Sequence, residues 1–371
     1  MNKICVYAIA KDESKFVDAW VKSMSAADHI VVLDTGSTDD TVEKLRSLGV
    51  EVHEKEYDHF RFDTARNDSL DLVPDEYNIR VCTDLDELFE QENWADILRE
   101  KWDENNPRVI YHYVWNHTAD GENGLEFDIN KIHGTDPDLR WAGAVHEHLT
   151  FMSTGERMFT KYIDLRKEIT LHHYADLTKD RRFYIELAEE RIKDQPNDMQ
   201  AYVLLGNEYR VKGSPEKAIE KYETVLKKFS KEMNTVEQAA VYYALGDAYH
   251  KTGNAVMAMT SFSHGMAIHK TYRDNYFGLA VIYVNNQMYH AAIGLIQEAL
   301  HNSKREYYWM EDALVWTYPL YDLLGFAYFA LGDYENAVAA STVALEFEPS
   351  NRQLKRNHSK YTGLLKQKQK Q

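Results

Sequence analysis

Cysteine is almost missing. Cys5 and Cys82 are the only two in 371 residues, too few for a disulfide framework or a four-thiolate zinc site, and both lie in strand-length apolar runs where a buried reduced thiol is expected. Proline stops at 7 residues and glycine at 17, which excludes a collagen-like or extensively disordered chain. Long hydrophobic runs are missing too. Ile4–Ala10 and Ile30–Leu33 fall far short of the ~20 residues of a membrane helix, and no signal-peptide pattern opens the sequence, so a cytoplasmic protein without membrane insertion is expected. Positive charge is in deficit. With 43 Lys and Arg against 60 Asp and Glu the net charge is −17, which argues against a general polyanion binder, because neutralised phosphates supply most of such affinity; nucleic acid is not an expected partner. No Gly-x-x-x-x-Gly-Lys loop and no Ser/His/Asp arrangement appears, which sets aside P-loop kinase and α/β-hydrolase chemistry.

What is present is enough chain for two or three domains, with uneven charge and an internal repeat. Residues 352–371 carry seven cations and no acid, leaving −24 on the rest. This tail reads as a solvated helix end fraying into a Gln/Lys-rich tip, with a peripheral anionic contact as the alternative. Upstream, Leu205-Gly206, Tyr209, Gly213 and Ala218 recur as Leu245-Gly246, Tyr249, Gly253 and Ala258, as Ala280, Tyr283, Gln287 and Ala292, and as Leu324-Gly325, Tyr328, Gly332 and Ala337. The offsets within each unit are the same, and one step between units is 34 residues, so the pattern resembles tetratricopeptide repeats. A small residue lets the partner helix approach, an aromatic fills the groove, and the later glycine ends the first helix. The third unit has lost both glycines. Such a solenoid has no catalytic chemistry of its own and is expected to dock a partner or form a homodimer.

The first half alternates strand-length runs with helical patterns. Ile4–Ala10 reads as a strand, Phe16, Trp20 and Met24 share one helix face, and His29 to Leu33 leads into Asp34-Thr-Gly-Ser-Thr-Asp-Asp40. Val42, Leu45 and Leu48 mark a helix with Asp40 and Glu43 as its start signature and Gly49 as its stop. Val50 to Val52, a helix near 65–72, Ile79 to Thr83 and Glu168 to Leu171 follow. This alternation implies a largely parallel sheet whose ligands bind beyond the carboxyl ends of the strands. Asp34 would follow the second strand and Asp84 and Asp86 the fourth, gathering three carboxylates along one edge. Two carboxylates spaced like Asp84 and Asp86 can hold a hard divalent ion against phosphate oxygens, although an acidic chain also carries such pairs in plain solvated turns. Tyr111-His-Tyr-Val-Trp115 reads as a strand with core packing, or with an aromatic face that stacks a sugar. His146-Glu-His148 is no zinc-protease motif, because Thr150 stands where the second histidine is required.

Ala10-Lys-Asp-Glu13, Asp34-Thr-Gly-Ser-Thr-Asp39, Ala65-Arg-Asn67 and Asp84-Leu-Asp86-Glu87 together resemble the nucleotide-diphospho-sugar domain of family 2 inverting glycosyltransferases. Arg140-Trp-Ala-Gly-Ala-Val-His-Glu147 and Thr170-Leu-His-His-Tyr174 resemble later motifs of the subgroup that joins this domain to tetratricopeptide repeats, which includes the sublancin-type peptide S-glycosyltransferase. The resemblance implies that Ala10, Asp12, Asp34, Arg66 and Asp84 meet the nucleotide sugar, and that Asp86, Asp84 and a late histidine, His173 or its neighbour His172, hold Mg²⁺ or Mn²⁺. Thr35 replaces a second acid seen in many relatives, and Arg66 has a helix ion pair to Asp63 or Asp68 as its alternative. Glu147 is the candidate general base, since inverting transfer needs one opposite the leaving group; Glu87 and Asp128 stand in reserve.

The expectation is therefore an α/β GT-A domain with a Rossmann-like mixed sheet over 1–180, an all-α repeat domain over 181–350 and a basic tail over 351–371. Its expected activity is inverting, metal-dependent, hexosyltransferase-like transfer from a UDP-sugar to a peptide or protein. The competing readings are a non-catalytic repeat scaffold with a degenerate transferase domain, or transfer to a saccharide, lipid or modified nucleobase.

Overall fold

The computed structural model describes residues 2–117, 121, 123–155, 162–176, 183–302, 304–305, 310 and 313–370. The chain divides into two compact units, Met1–Pro196 and Asn197–Gln371.

The first unit contains β1 (Ile4–Ala10), α1 (Val17–Met24), β2 (His29–Asp34), α2 (Thr41–Ser47), β3 (Glu51–Glu54), α3 (Phe62–Asp71), β4 (Ile79–Cys82), β5 (Glu87–Phe89), α4 (Trp94–Lys101), β6 (Arg108–Val114), β7 (Glu126–His133), β8 (Leu139–Ala142), β9 (His148–Phe151), β10 (Ile163–Asp164), β11 (Thr170–His173) and α5 (Tyr184–Asp194). The main sheet runs β3-β2-β1-β4-β7-β6-β11-β5, with β10 beside β6, while β8 and β9 pair separately. β1 is central and buried along its whole length, which explains its unbroken apolar sequence. β3, β2, β1 and β4 are parallel. β7 then enters antiparallel between β4 and β6, so the sheet is mixed. Its sequence, EFDINKIH, mixes polar and apolar residues with mostly half-buried side chains, and gives little strand signal.

Local chemistry explains most of the connections. Trp20 and Met24 are buried beneath the sheet, and Trp20 Nε1 donates to Thr83 Oγ1 at 3.1 Å. Gly49 adopts φ +83° after α2, as a helix stop requires. The start of α2 differs from expectation: Asp39, not Asp40, accepts from the Thr41 amide at 3.0 Å, because Asp40 is taken by Ser14 and Lys44. The boundary after Pro196 puts α5 in the first unit and not among the repeats expected from 181 onward. There the fully buried Arg191 donates to the carbonyls of Val145 and His146 at 2.9 and 2.7 Å, so α5 braces the loop that carries Glu147.

The second unit stacks α6 (Met199–Val211), α7 (Pro215–Phe229), α8 (Thr235–Lys251), α9 (Ala255–Ile268), α10 (Arg273–Asn285), α11 (Tyr289–His301), α12 (Pro319–Ala330), α13 (Tyr334–Phe347) and α14 (Arg352–Lys368). The four pairs from α6/α7 to α12/α13 coincide with the four sequence units. Each first helix ends in a left-handed residue: Gly213, Gly253 and Gly332 at φ +76°, +79° and +75°, and Gln287 at +60°. The third unit therefore keeps the geometry without the glycine. A Cβ added at Gly206 would lie 2.7 Å from Tyr222, and one at Gly246 2.5 Å from Phe262; the small residue is what lets the paired helix approach. The basic tail forms a 17-residue helix, α14, that buries Leu354 and Tyr361.

Candidate active site

The carboxyl ends of β2, β1 and β4 lie side by side, since Ala10 pairs with Asp34 and Tyr7 with Cys82. β2 and β4 flank β1, so these ends stand two strand spacings, ~10 Å, apart. The candidate residues form three groups along this edge.

In the first group, Asp34 is buried and turns its own loop, accepting from the Gly36 amide at 3.0 Å and from the Ser37 amide and hydroxyl at 2.8 and 2.5 Å. Asp12, itself at φ +54°, accepts from the Thr38 amide at 2.6 Å and the Asp39 amide at 3.3 Å. The Thr38 amide bond is the chief cause holding the Asp12 carboxyl below its ordinary range. Thr35 donates through its hydroxyl and its amide to the Ala10 carbonyl. The hydroxyl link needs a side-chain donor, which a threonine supplies and an ionised acid at this position would not.

The second group is a largely buried charge network, in which only the Asp84 side chain is a third exposed. Ala65, Arg66, Ser69 and Leu70 form the buried face of α3, and an arginine is tolerated there only because its guanidinium is fully partnered. Arg66 donates from Nη2 to both Asp84 oxygens at 2.8 and 3.1 Å, from Nε to Glu147 Oε1, and from Nη1 to Cys82 Sγ at 3.2 Å. The expected alternatives do not occur: Asp63 pairs with Arg61, and Asp68 with Lys55. Lys131 of β7 reaches Asp84 Oδ2 at 3.2 Å and Glu87 Oε1 at 2.8 Å. Burial by itself would raise the Asp84 carboxyl, but Arg66 and Lys131 hold it well below the usual carboxylate range. Glu87 is fully buried and also accepts from the Tyr113 hydroxyl at 2.6 Å and the Asp84 amide at 2.9 Å; it holds the turn and is not free to act as a base. Asp128 is bonded to Arg166 at 3.2 Å and joins none of these residues. Burial pushes the Cys82 thiol up to about 11, so it stays protonated.

In the third group, His173 Nδ1 lies 2.8 Å from the Trp115 carbonyl and Nε2 3.2 Å from Asp86 Oδ2. A carbonyl only accepts, so the proton is assigned to Nδ1, and neutral His173 then turns a lone pair toward a carboxylate. Two acceptors facing each other require a proton or a cation between them. Burial lowers the imidazole's proton affinity, but Asp86 outweighs it and the pKa is raised. The neighbour His172 contacts His117 at 3.0 Å instead, which separates the two histidines. Among the described residues no group of three His, Cys, Asp or Glu side chains is arranged to hold a metal ion; Asp84, expected beside Asp86 as a ligand, has both oxygens engaged by cations.

Sequence reading missed Lys131 and Trp115. Lys131 sits in a strand without clear patterning, so nothing in its context marks it. Trp115 reads only within the aromatic run 111–115, as core packing or a sugar-stacking face, and not as a partner of His173, yet its ring centroid lies 4.7 Å from that of His173 and it is 38% exposed. Tyr111 and Tyr113 of the same strand are buried in the core.

Residues 5–164 match the model of glycosyl transferase family 2, and residues 318–351 match the tetratricopeptide repeat. The chain thus joins a mixed-sheet domain that matches glycosyl transferase family 2 to a helical repeat region. No curated protein matches the chain. Among solved structures, the MamA protein is similar at 24% identity and TM-score 0.36, covering 44% of this chain and 81% of that one. A thermophilic TPR protein of Thermus thermophilus matches at 18% identity and TM-score 0.36, with 49% and 88% covered. YrrB, described as a TPR protein with an unusual peptide-binding site, matches at 16% identity and TM-score 0.37, with 47% and 81% covered.

Proposed function

We propose that the family 2 domain is an inverting, metal-dependent, hexosyltransferase-like enzyme that moves a sugar from a UDP-sugar to a peptide or protein, with the repeats presenting that acceptor or joining two copies. The observation that carries this reading is the Asp86–His173 contact at 3.2 Å with the imidazole tautomer fixed by Trp115. An acid oxygen and an imidazole lone pair converging from a strand end suit a divalent ion that also binds phosphate oxygens and water. Bound Mg²⁺ or Mn²⁺ would neutralise charge on the departing nucleotide diphosphate.

Asp86 and His173 would hold that ion. Asp84 has another task here: paired with Arg66 and Lys131, it fixes the turn that presents Asp86. Arg66 in turn grips Glu147 through Oε1, leaving Oε2 to accept the proton from the attacking hydroxyl, thiol or amide of the acceptor. A single displacement then inverts the anomeric centre. The 34–39 loop lies two strand spacings from the β4 end, and Ala10 and Asp12, at the end of β1, one spacing from it, where the base and ribose would rest.

The scaffold reading draws on one observation: Arg66, expected to meet the nucleotide sugar, spends its donors on Asp84, Glu147 and Cys82. Melting the protein with and without UDP-sugars plus Mn²⁺ separates the two. A donor at 100 times its Kd adds about 2.7 kcal/mol, or about 5–10 °C for a unit of this size. That shift, lost in Asp86→Asn together with sugar transfer to a peptide panel by mass spectrometry, is the expected result. No shift with any common nucleotide sugar favours the scaffold.

A further inference from the structure

The basic tail is not absorbed by the proposed transferase, and its structure is more specific than its composition. α14 packs Leu354 and Tyr361 into the second unit, with Asn357 on the same flank donating to Asp322 at 2.9 Å. At ~100° per residue, Arg352, Lys355, Arg356, Lys360 and Lys366 fall within an arc of ~140° opposite that buried stripe. Each of these five is exposed. Lys368 is the exception, turned back toward the Gly332 carbonyl at 3.4 Å, and Lys370 lies just past the helix end, exposed. No Asp or Glu occurs from 349 to 371. Arg356 bonds only to the neutral Gln353, and Lys360 lies over the Phe329 ring; among the described residues none of the outward cations is in an ion pair.

We infer that the outer face of α14 is a docking surface for an anionic membrane, bound electrostatically and without insertion. The inference is independent of the proposed transferase activity. A surface that only needs solvation would mix both signs, as the rest of this acidic chain does; here one sign occupies about 21 Å of helix, with none of its outward cations in an ion pair among the described residues. The choice of partner follows from side-chain type. Three of the five outward cations, Lys355, Lys360 and Lys366, are lysines, hydrated point charges on flexible stems suited to a diffuse layer of headgroups, and Arg352 and Arg356 stand four residues apart with no shared partner among the described residues, whereas fixed planar recognition of phosphate or carboxylate favours arginine forks. The outward arc has Ser359 and Gly363 between its cations and no aromatic ring on which a base could stack. It also has no apolar side chain to enter the hydrocarbon, because Leu354 and Tyr361 are committed to the core.

The test is co-sedimentation of the full chain with vesicles of phosphatidylcholine alone or with about 30% phosphatidylserine, alongside the triple variant Lys355→Gln, Lys366→Gln, Lys370→Gln. These three side chains are exposed and, among the described residues, in no ion pair or ring contact, and an unchanged melting curve checks the fold. We expect binding to the anionic vesicles only, falling steeply between 0.1 and ~0.5 M salt, and about a hundredfold weaker in the variant, at about fivefold per cation. Equal binding to both vesicle types, no binding to anionic vesicles at low salt, or unweakened binding by the variant overturns the inference. Tighter α14-dependent binding to a homopolymer RNA in a parallel titration also overturns it and assigns the face to nucleic acid.

Discussion

The repeat unit meets one packing problem four times with neighbours close in sequence, whereas the sheet unit assembles its charge cluster once from residues far apart. Gly206 meets Tyr222 and Gly246 meets Phe262, in each case on the next helix. Arg66 meets Asp84 and Glu147 across 18 and 81 residues, and Lys131 comes from β7 to join them. The difference is one of redundancy. A repeat that loses a feature is held by its neighbours, as the third has lost its glycines, while the charge network has no second copy of any member and each removal leaves a buried charge without its partner.

The largest effect should therefore come from the network. Arg66→Met removes the cation shared by Asp84 and Glu147 and is expected to cost about 3–5 kcal/mol in a denaturant melt; a cost below ~1 kcal/mol would mean that water already reaches these carboxylates and that the contrast is false. Next is a pH effect confined to the sheet unit. His133 is fully buried, accepts from the Tyr7 hydroxyl at 2.8 Å and bonds the Gly134 carbonyl, and burial pushes its pKa down to about 4. The unfolded chain therefore binds a proton at a higher pH than the folded one, so this contribution is complete above ~6.5 and is lost as pH falls toward 4, up to about 3 kcal/mol. Urea midpoints across that window should fall in the native protein and fall less in His133→Asn.

Within the repeats, two chemically identical changes should differ. Gly246→Ala drives a methyl into Phe262, whose ring is also pressed by Gly278 at 2.5 Å from a Cβ position, and should cost about 1–3 kcal/mol. Gly325→Ala has its nearest neighbour at 3.4 Å and should be neutral or gain up to about 1 kcal/mol from helix propensity. Equal melting shifts would show that the four units are more alike than their side chains suggest. The smallest effect is expected at Gln287→Gly, which relieves a left-handed non-glycine residue at the cost of a freer unfolded chain, a net gain of about 0.5 kcal/mol by thermal melt.

How far the residues could be read follows the same division. The helix pairs and their turns were visible because packing there depends on residues a few turns apart and recurs at fixed offsets. β1, β2 and β4 were visible because buried parallel strands are continuous apolar runs, and the edge where Asp34, Asp84 and Asp86 emerge follows from that order. β7 was not visible, because its neighbours and not its own pattern make it a strand, and Lys131 came with it. His173 could be reached from its motif but not separated from His172 until the Trp115 carbonyl and Asp86 were seen on opposite sides of its ring.

By itself the sequence determined an α/β unit followed by helical repeats, the strand ends that carry the acids, and the one-signed helix at its end, since each depends on periodicity, local propensity or charge count. Only the tertiary structure decided which acid meets which cation. Asp84 and Asp86 are two residues apart in the same turn, yet one is locked between Arg66 and Lys131 and the other faces His173. Ion pairing depends on distances of a few ångströms between distant chain segments, and no local pattern encodes those.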